Sequence, residues 1–440
     1  MNKKLVLKST IIGSVEQELT GAEVKLFVCG PTVYGPMHLG HGKTYTQLDF
    51  LATVLKSIYP SVRYVMNITD IDDKIINRAK AEETTSTEIA VEWENKFWNS
   101  MKTIGNTQVT EIHRATDFIP EIISQVERLI ANEHAYVAPD NSVYFIGNSY
   151  NFPHGRLHKE VQSTATESRL SEEFLETKRS ANDFVIWKSS KPGEPSWDSP
   201  WGEGRPGWHI EDTAITETIF GQSYDIHGGA TDLIFPHHEA EIAQMEALSG
   251  IPLVDFWVHT GLLEVDGKKM GKSLHNFKIL DELVEEWDWR TVRYSFLKVH
   301  YGSTMNLDSK TLEDSSAARQ RIENYYRTKA PAGSSTEVWE NFWDSILENL
   351  NTPKALAGLF EELREGRASQ ADIQRINEVL GGVFNLTEET TPDSILRLVA
   401  MREKARQDKQ WTTADEFRKE LADAGWVVRD TPSGPYITRV

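Results

Sequence analysis

VKLFVCG, Val24 to Gly30, is a short apolar run ending in a Gly-Pro turn, and LDFLATVLKSI, Leu48 to Ile58, follows it with helical spacing. VRYVMNIT, Val62 to Thr69, is rich in β-branched and aromatic residues and is again followed by a polar loop and a long helical stretch. A strand, a loop, a helix and a second strand in that order imply parallel strands joined by helical crossovers. The stretch therefore predicts an α/β fold built on a parallel sheet.

Upstream, MNKKLVLKSTIIGS opens with basic residues like a signal peptide, but Lys8, Ser9 and Thr10 interrupt its apolar run. It reads as a short strand of a cytoplasmic protein. Downstream, from about Pro120 to Pro206, the pattern changes to a helix, a small β-region around SVYFIG (Ser142 to Gly147) and the Pro- and Trp-rich KPGEPSWDSPWGEGRPGW. This reads as an insertion between two halves of one sheet, and the α/β pattern resumes from Trp208 to about Trp257. After Asn306 the chain becomes helical, with Leu312, Ile322 and Tyr326 on one face and KAPAGSS (Lys329 to Ser335) as a break. TEETTPD (Thr387 to Asp393) precedes a terminal unit in which Ala414, Phe417, Leu421 and Ala424 have helical spacing and WVVRDTPSGPYITRV reads as a hairpin.

At 440 residues two to four domains are expected, and 39% hydrophobic residues suffice for sizeable cores. No window reaches the roughly 18 uninterrupted apolar residues of a membrane span. The one cysteine, Cys29, excludes an internal disulfide. A net charge of −19 argues against an indiscriminate nucleic-acid coat while leaving room for a local basic groove.

Three short motifs carry chemistry. PMHLGH, Pro36 to His41, lies between the first strand and its helix, where N-terminal amides attract anions and two imidazoles can donate to a phosphate. GKKMGKS, Gly267 to Ser273, offers flexible ammonium groups to a departing pyrophosphate. FPHHEAE, Phe235 to Glu241, sets His237 and Glu241 four apart, on one face of a helix. Taken singly, the histidines read as ordinary core or surface residues and the lysines as a solvated basic loop, and the His237–Glu241 pair reads either as an ion-binding pair or as a charged helix surface.

Taken together, HLGH and KKMGKS resemble the HIGH and KMSKS signatures of class I aminoacyl-tRNA synthetases. The chain resembles the cysteinyl-tRNA synthetases in particular, through FVCGPTVYGPMHLGH, NITDIDDKI, WKSSKPGEPSWDSPWGEGRPGWHIED, DIHGGATDLIFPHHEAEIAQ, GKKMGKSLHNF, NTPKALAGLF and KQWTTADEFRKELADAGWVVRDTPSG. The resemblance covers nearly the whole chain. It implies a Rossmann-type catalytic domain in two halves, 1–119 and 207–257, around a connective insertion at 120–206. A linking domain bearing the lysine loop at 258–308, a tRNA-binding helical bundle at 309–386 and a small α+β anticodon-binding unit at 387–440 would follow.

The resemblance implies a Zn2+ ion, one per subunit, on Cys29, Asp212, His237 and Glu241, which binds the substrate thiol. Asp212 stands where the family has a second cysteine, and a carboxylate oxygen is an acceptable zinc ligand. Thr69 and Trp208 would line the amino-acid pocket and Asp232 would hold the substrate ammonium. ATP, with Mg2+, would meet His38, Gly40 and His41, whose imidazoles stabilise the α-phosphate, and Lys269 and Lys272, which pair with the pyrophosphate. Trp411 and Asp415 would read the anticodon of tRNA(Cys).

The implied activity is that of a monomeric cysteine-tRNA ligase, which adenylates L-cysteine and passes it to tRNA. Departures from the family pattern are Gly271 for a loop serine, Gly42 and Lys43 after the histidine motif, Ala230 in HGGA, and Asp212. They leave three alternatives open: a ligase for a small amine acceptor, a different small amino acid, and a weakly active paralogue that binds tRNA.

Overall fold

The computed structural model describes residues 4–11, 16–150, 156–157, 177–270, 278–333, 336–387, 391–431 and 434–439. Five parallel strands form its centre: β1 (Glu23–Val28), β2 (Ser61–Ile68), β3 (Glu111–Arg114), β4 (Tyr224–Ala230) and β5 (Val254–Thr260). Their spatial order is β5-β4-β1-β2-β3. The order reverses direction at β1, and in such sheets ligands settle in the crevice beyond the strand ends at this switch point. Cys29 is the first residue past β1.

Helix α1 (Leu39–Ile58) connects β1 to β2. Its first turn starts at His38, whose Nδ1 accepts from the His41 amide at 3.2 Å, as an N-cap does. Fourteen of its residues are buried, so α1 is enclosed on most sides. Gly40 gives this turn room, because a Cβ there would lie 3.0 Å from the His38 ring and press it aside.

The stretch between β3 and β4 contains helix Ile119–Ala131 and a separate antiparallel sheet of Ala135–Val137, Val143–Phe145, Phe184–Ser189 and Gly204–Pro206. Its Ile122, Val126, Phe145 and Trp187 form a core together with Ile210, Ala214, Ala240 and Ala243 of the chain that follows. Helices α2 (Trp208–Phe220) and α3 (Glu239–Ser249) then flank β4 in sequence. Phe27, Val65, Ile215, Met245 and Trp257 form a core on one side of the sheet, with Cys29 at its edge.

A larger core runs without interruption from Leu5 through Leu26, Leu51 and Met66 to Ile376 and Phe384, uniting the sheet with the helices Ser309–Thr328, Thr336–Leu347, Thr352–Arg364 and Gln370–Val379. Fully buried Arg293 fastens these parts. It donates to Asp49 on α1 at 2.9 Å, to the Ile104 carbonyl at 3.2 Å, to Asn106 at 2.7 Å and to the Leu380 carbonyl at 3.0 Å.

The terminal segment is a helix pair, Asp393–Gln407 and Trp411–Asp423, followed by the hairpin Trp426–Thr431 and Gly434–Arg439. Its core consists of Ile395, Val399, Leu421 and Val428, flanked by Leu398, Trp426 and Ile437. Buried Arg402 makes two bonds, of 2.7 and 2.9 Å, to the carboxylate of Asp430 on the hairpin.

Candidate active site

A cavity of about 450 Å³ opens at the switch point, and its wall includes both Cys29 and the histidine motif. His38, Gly40, His41 and Met270 line it, as do Trp208 and Asp232. The His38 and His41 rings stack with centroids 3.6 Å apart. His41, part-buried in the wall, is pushed below the ordinary imidazole range by burial first, then by His38 and Lys74. A neutral ring at this point can donate one hydrogen bond without placing a fixed charge in the cavity.

The lysine motif begins on a two-residue strand, Lys268–Lys269, paired antiparallel with Leu263–Val265. Met270 brings its start to the histidine motif, since its Cε lies 3.5 Å from where a Gly40 Cβ would stand. Beyond the motif, the Leu39 amide donates to the Lys278 carbonyl and the Leu280 amide to the Met37 carbonyl. Met270 and Lys278 thus meet the same turn. Lys272 lies outside the described residues.

Cys29, Asp212, His237 and Glu241 are buried, and one donor atom from each lies within 4.8 Å of the others. Cys29 arrives from β1, Asp212 from α2, and His237 from the wide turn Ile234–His238 that leads into α3 at Glu239. The spacing of His237 and Glu241 holds across this junction, with His237 Nε2 at 2.8 Å from Glu241 and at 3.1 Å from Asp212. The other Asp212 oxygen accepts from Asn67 at the end of β2, at 2.5 Å. The second His237 nitrogen meets His209 at 2.9 Å, and Trp208 stacks on its face at 4.2 Å.

Burial drives the Cys29 thiol well above its ordinary pKa, with Glu241 and Asp212 adding to the effect. Burial likewise raises Glu241. Burial lowers His237, but the opposing pull of Glu241 and Asp212 prevails and raises it. Three donors able to carry negative charge, held out of water around one imidazole, form a group that a divalent cation would neutralise. Sulfur, imidazole nitrogen and two carboxylates are also donors zinc accepts. The donor set fits a metal ion.

Two of the three substrate residues expected from sequence, Trp208 and Asp232, border the cavity, Asp232 at its exposed margin. Thr69 stands behind it, its backbone bonded to Pro31 and Val33 and its hydroxyl to the buried Glu211. Trp411 and Asp415 lie on the last helix, Trp411 58% exposed with Arg406 over its ring at 6.0 Å.

Sequence reasoning passed over four further histidines. Around the cluster sit His209, His227, His238 and His259, each pushed down by its burial, His259 to about 3. Two of them had a signal, His238 as the second histidine of FPHH and His227 as the first residue of HGGA.

The switch-point cavity and the paired histidine and lysine motifs define a class I aminoacyl-tRNA synthetase. In agreement, the model of the tRNA synthetases class I (C) catalytic domain matches residues 15–317, and that of the cysteinyl-tRNA ligase anticodon binding domain matches 389–437. The chain belongs to the cysteinyl-tRNA synthetase family and has its activity, the joining of cysteine to tRNA with ATP.

Among its relatives, "Cysteine--tRNA ligase" of Idiomarina loihiensis is 37% identical, over 93% of this chain and 94% of that protein. The protein of the same name from Coxiella burnetii (strain RSA 493 / Nine Mile phase I) is 35% identical over 99% of both. Among solved structures, Mycobacterium tuberculosis methionyl-tRNA synthetase in complex with methionyl-adenylate shares the fold, with TM-score 0.55 and 15% identity over 87% of this chain and 84% of that one. The ternary LeuRS-tRNA-LeuAMS complex from Agrobacterium radiobacter K84 also gives 0.55, at 11% identity over 84% of this chain and 83% of that one. No helix among the described residues is long and apolar enough to cross a membrane.

Proposed function

We propose that Cys29, Asp212, His237 and Glu241 hold one Zn2+ that reads the thiol of L-cysteine, while His38, Gly40, His41, Lys269 and Lys272 bind ATP with its Mg2+ and stabilise the transferring α-phosphate and departing pyrophosphate. The ion is a Lewis acid that accepts a thiolate in preference to a hydroxyl. Thr69 and Trp208 shape the amino-acid pocket, Thr69 through the backbone behind it. Asp232 at the margin takes the ammonium group, a charge-assisted contact.

The cysteine carboxylate attacks the α-phosphate in line, pyrophosphate leaves, and the acyl group passes to the terminal ribose of tRNA(Cys). Positioning and charge stabilisation carry the rate. Residues 1–119 and 207–257 act as the catalytic halves, 120–206 as the connective insertion and 258–308 as the lysine-loop link. The helical part at 309–386 binds tRNA, and 387–440 reads the anticodon with Trp411 and Asp415. The protein acts as a monomer in the cytoplasm.

One observation carries the reading: a single cavity has both Cys29 and the stacked His38 and His41 in its wall. Substrate thiol and α-phosphate therefore fit along one path. The test is pyrophosphate exchange into ATP without RNA, across the standard amino acids. Cysteine should support exchange, and deletion of 391–440 should spare it while strongly reducing charging of tRNA(Cys). Exchange with no amino acid would overturn the adenylation roles, and full charging after the deletion would overturn the anticodon role.

A further inference from the structure

We propose that this chain has a second, inner position for a thiophilic divalent ion, built from Cys29, His227, His238 and Glu241, and that cysteine draws the ion from it to the outer set containing Asp212. The proposal rests on the reading of the outer set given above. One donor atom from each of these four residues also lies within 4.8 Å of the others, and all four are buried. His227 Nε2 is 3.1 Å and His238 Nε2 3.2 Å from the Cys29 sulfur, and His227 Nε2 is 3.4 Å from Glu241.

The far nitrogens of both imidazoles are engaged. His227 Nδ1 meets the Tyr224 hydroxyl at 2.7 Å. His238 Nδ1 meets His259 Nε2 at 2.7 Å, and His259 Nδ1 meets the Thr10 hydroxyl at 2.5 Å. Rings tied at one nitrogen with the other aimed at a shared centre are the arrangement metal-ligating histidines adopt. The ring of His238 is also fixed against backbone, since a Cβ on Gly229 would lie 2.7 Å from it.

Asp212 gives the inner position its standing. A cysteine at 212 would make the outer set two sulfurs, one nitrogen and one oxygen. With aspartate it is one sulfur, one nitrogen and two oxygens, whereas the inner set offers one sulfur, two nitrogens and one oxygen. Borderline-soft zinc favours the set richer in sulfur and nitrogen. Cys29 and Glu241 belong to both sets, so the two positions compete for one ion. A substrate thiolate restores a second sulfur to the outer set and reverses the preference, with its proton going to solvent or a nearby base. A serine hydroxyl does not. Selectivity would then reside partly in whether the ion moves.

The experiment uses the full chain with one equivalent of Zn2+ for X-ray absorption, or of Co2+ alone for visible absorption, before and after cysteine or serine. The resting zinc protein should show one sulfur and two imidazole ligands. In the cobalt protein His227→Gln and His238→Gln should each shift the resting bands, Asp212→Ala should leave them in place, and cysteine should move the wild-type bands while serine does not. One imidazole at rest, with bands shifted by Asp212→Ala and unmoved by either histidine variant, would overturn the inner position and leave the outer site intact. Absence of stoichiometric metal in the wild type would overturn both. The zinc measurement needs no substitution, so it decides the question even where a variant fails to fold.

Discussion

The catalytic sheet and the terminal unit are stabilised by opposite means. Around the sheet, cores on both faces enclose a dense group of polar side chains that bond one another, and Arg293 alone spans residues from 49 to 380. Beyond residue 391, among the described residues, a cluster of four buried apolar residues and one buried arginine join two helices to a hairpin. Chemistry is placed where many contacts hold each group, and recognition where few do. Substitutions in the first region should therefore change rates, and substitutions in the second should change local stability and tRNA use.

The largest expected effect is in the first region. His41→Ala removes a donor from the stacked pair and should slow cysteine-dependent exchange by about 10²–10³-fold, about 3–4 kcal/mol. Hydrogen exchange of the terminal unit should not change. Arg402→Ala should do the reverse: it removes two bonds to Asp430, but that carboxylate is 42% exposed and keeps Arg406 at 2.8 Å. The loss is therefore held to about 2 kcal/mol of local stability. Amide exchange across 391–439 should accelerate and tRNA charging fall, with cysteine activation intact. If activation falls in parallel, the two regions are not separable.

Asp212→Cys should sharpen the contrast within the catalytic half. A second sulfur makes zinc a weaker Lewis acid that tolerates hydroxyl less, so the cysteine-to-serine exchange ratio should rise about tenfold, about 1.4 kcal/mol. An unchanged ratio would remove Asp212 from selectivity. The smallest effect belongs to Trp411→Ala. Its exposed ring leaves stability within about 0.5 kcal/mol, while losing a stacking surface should cost about 1 kcal/mol of tRNA affinity. A filter-binding comparison of the two proteins at one fixed salt concentration measures it.

Legibility followed the range of the interactions involved. Alternating strands and helices are local patterns, so β1 and β2 emerge from Val24 to Thr69 within a residue or two, and so does the end of α1, which begins at Leu39, nine residues before the stretch with helical spacing. The His237–Glu241 pair was legible for the same reason, though its first member lies in a wide turn ahead of α3. Cys29 and Asp212 are 183 positions apart, and resemblance rather than spacing brought them together. The histidines at 209, 227, 238 and 259 come from three separate elements and a turn, and no period links them. The close contact of Met270 with the histidine motif was likewise hidden, because it depends on how the strands after β5 fold back.

The unbroken core from Leu5 to Phe384, with Arg293 through its middle, has a consequence for how the chain melts. A helix of the 309–379 region cannot leave without opening the apolar core it shares with α1, and loss of Gln370–Val379 also takes the Leu380 carbonyl from Arg293, a combination that makes partial loss costly beside complete loss. In a calorimeter everything up to about residue 386 should absorb heat as one cooperative transition. The terminal unit, with its separate small core, should supply a minor peak of its own at lower temperature.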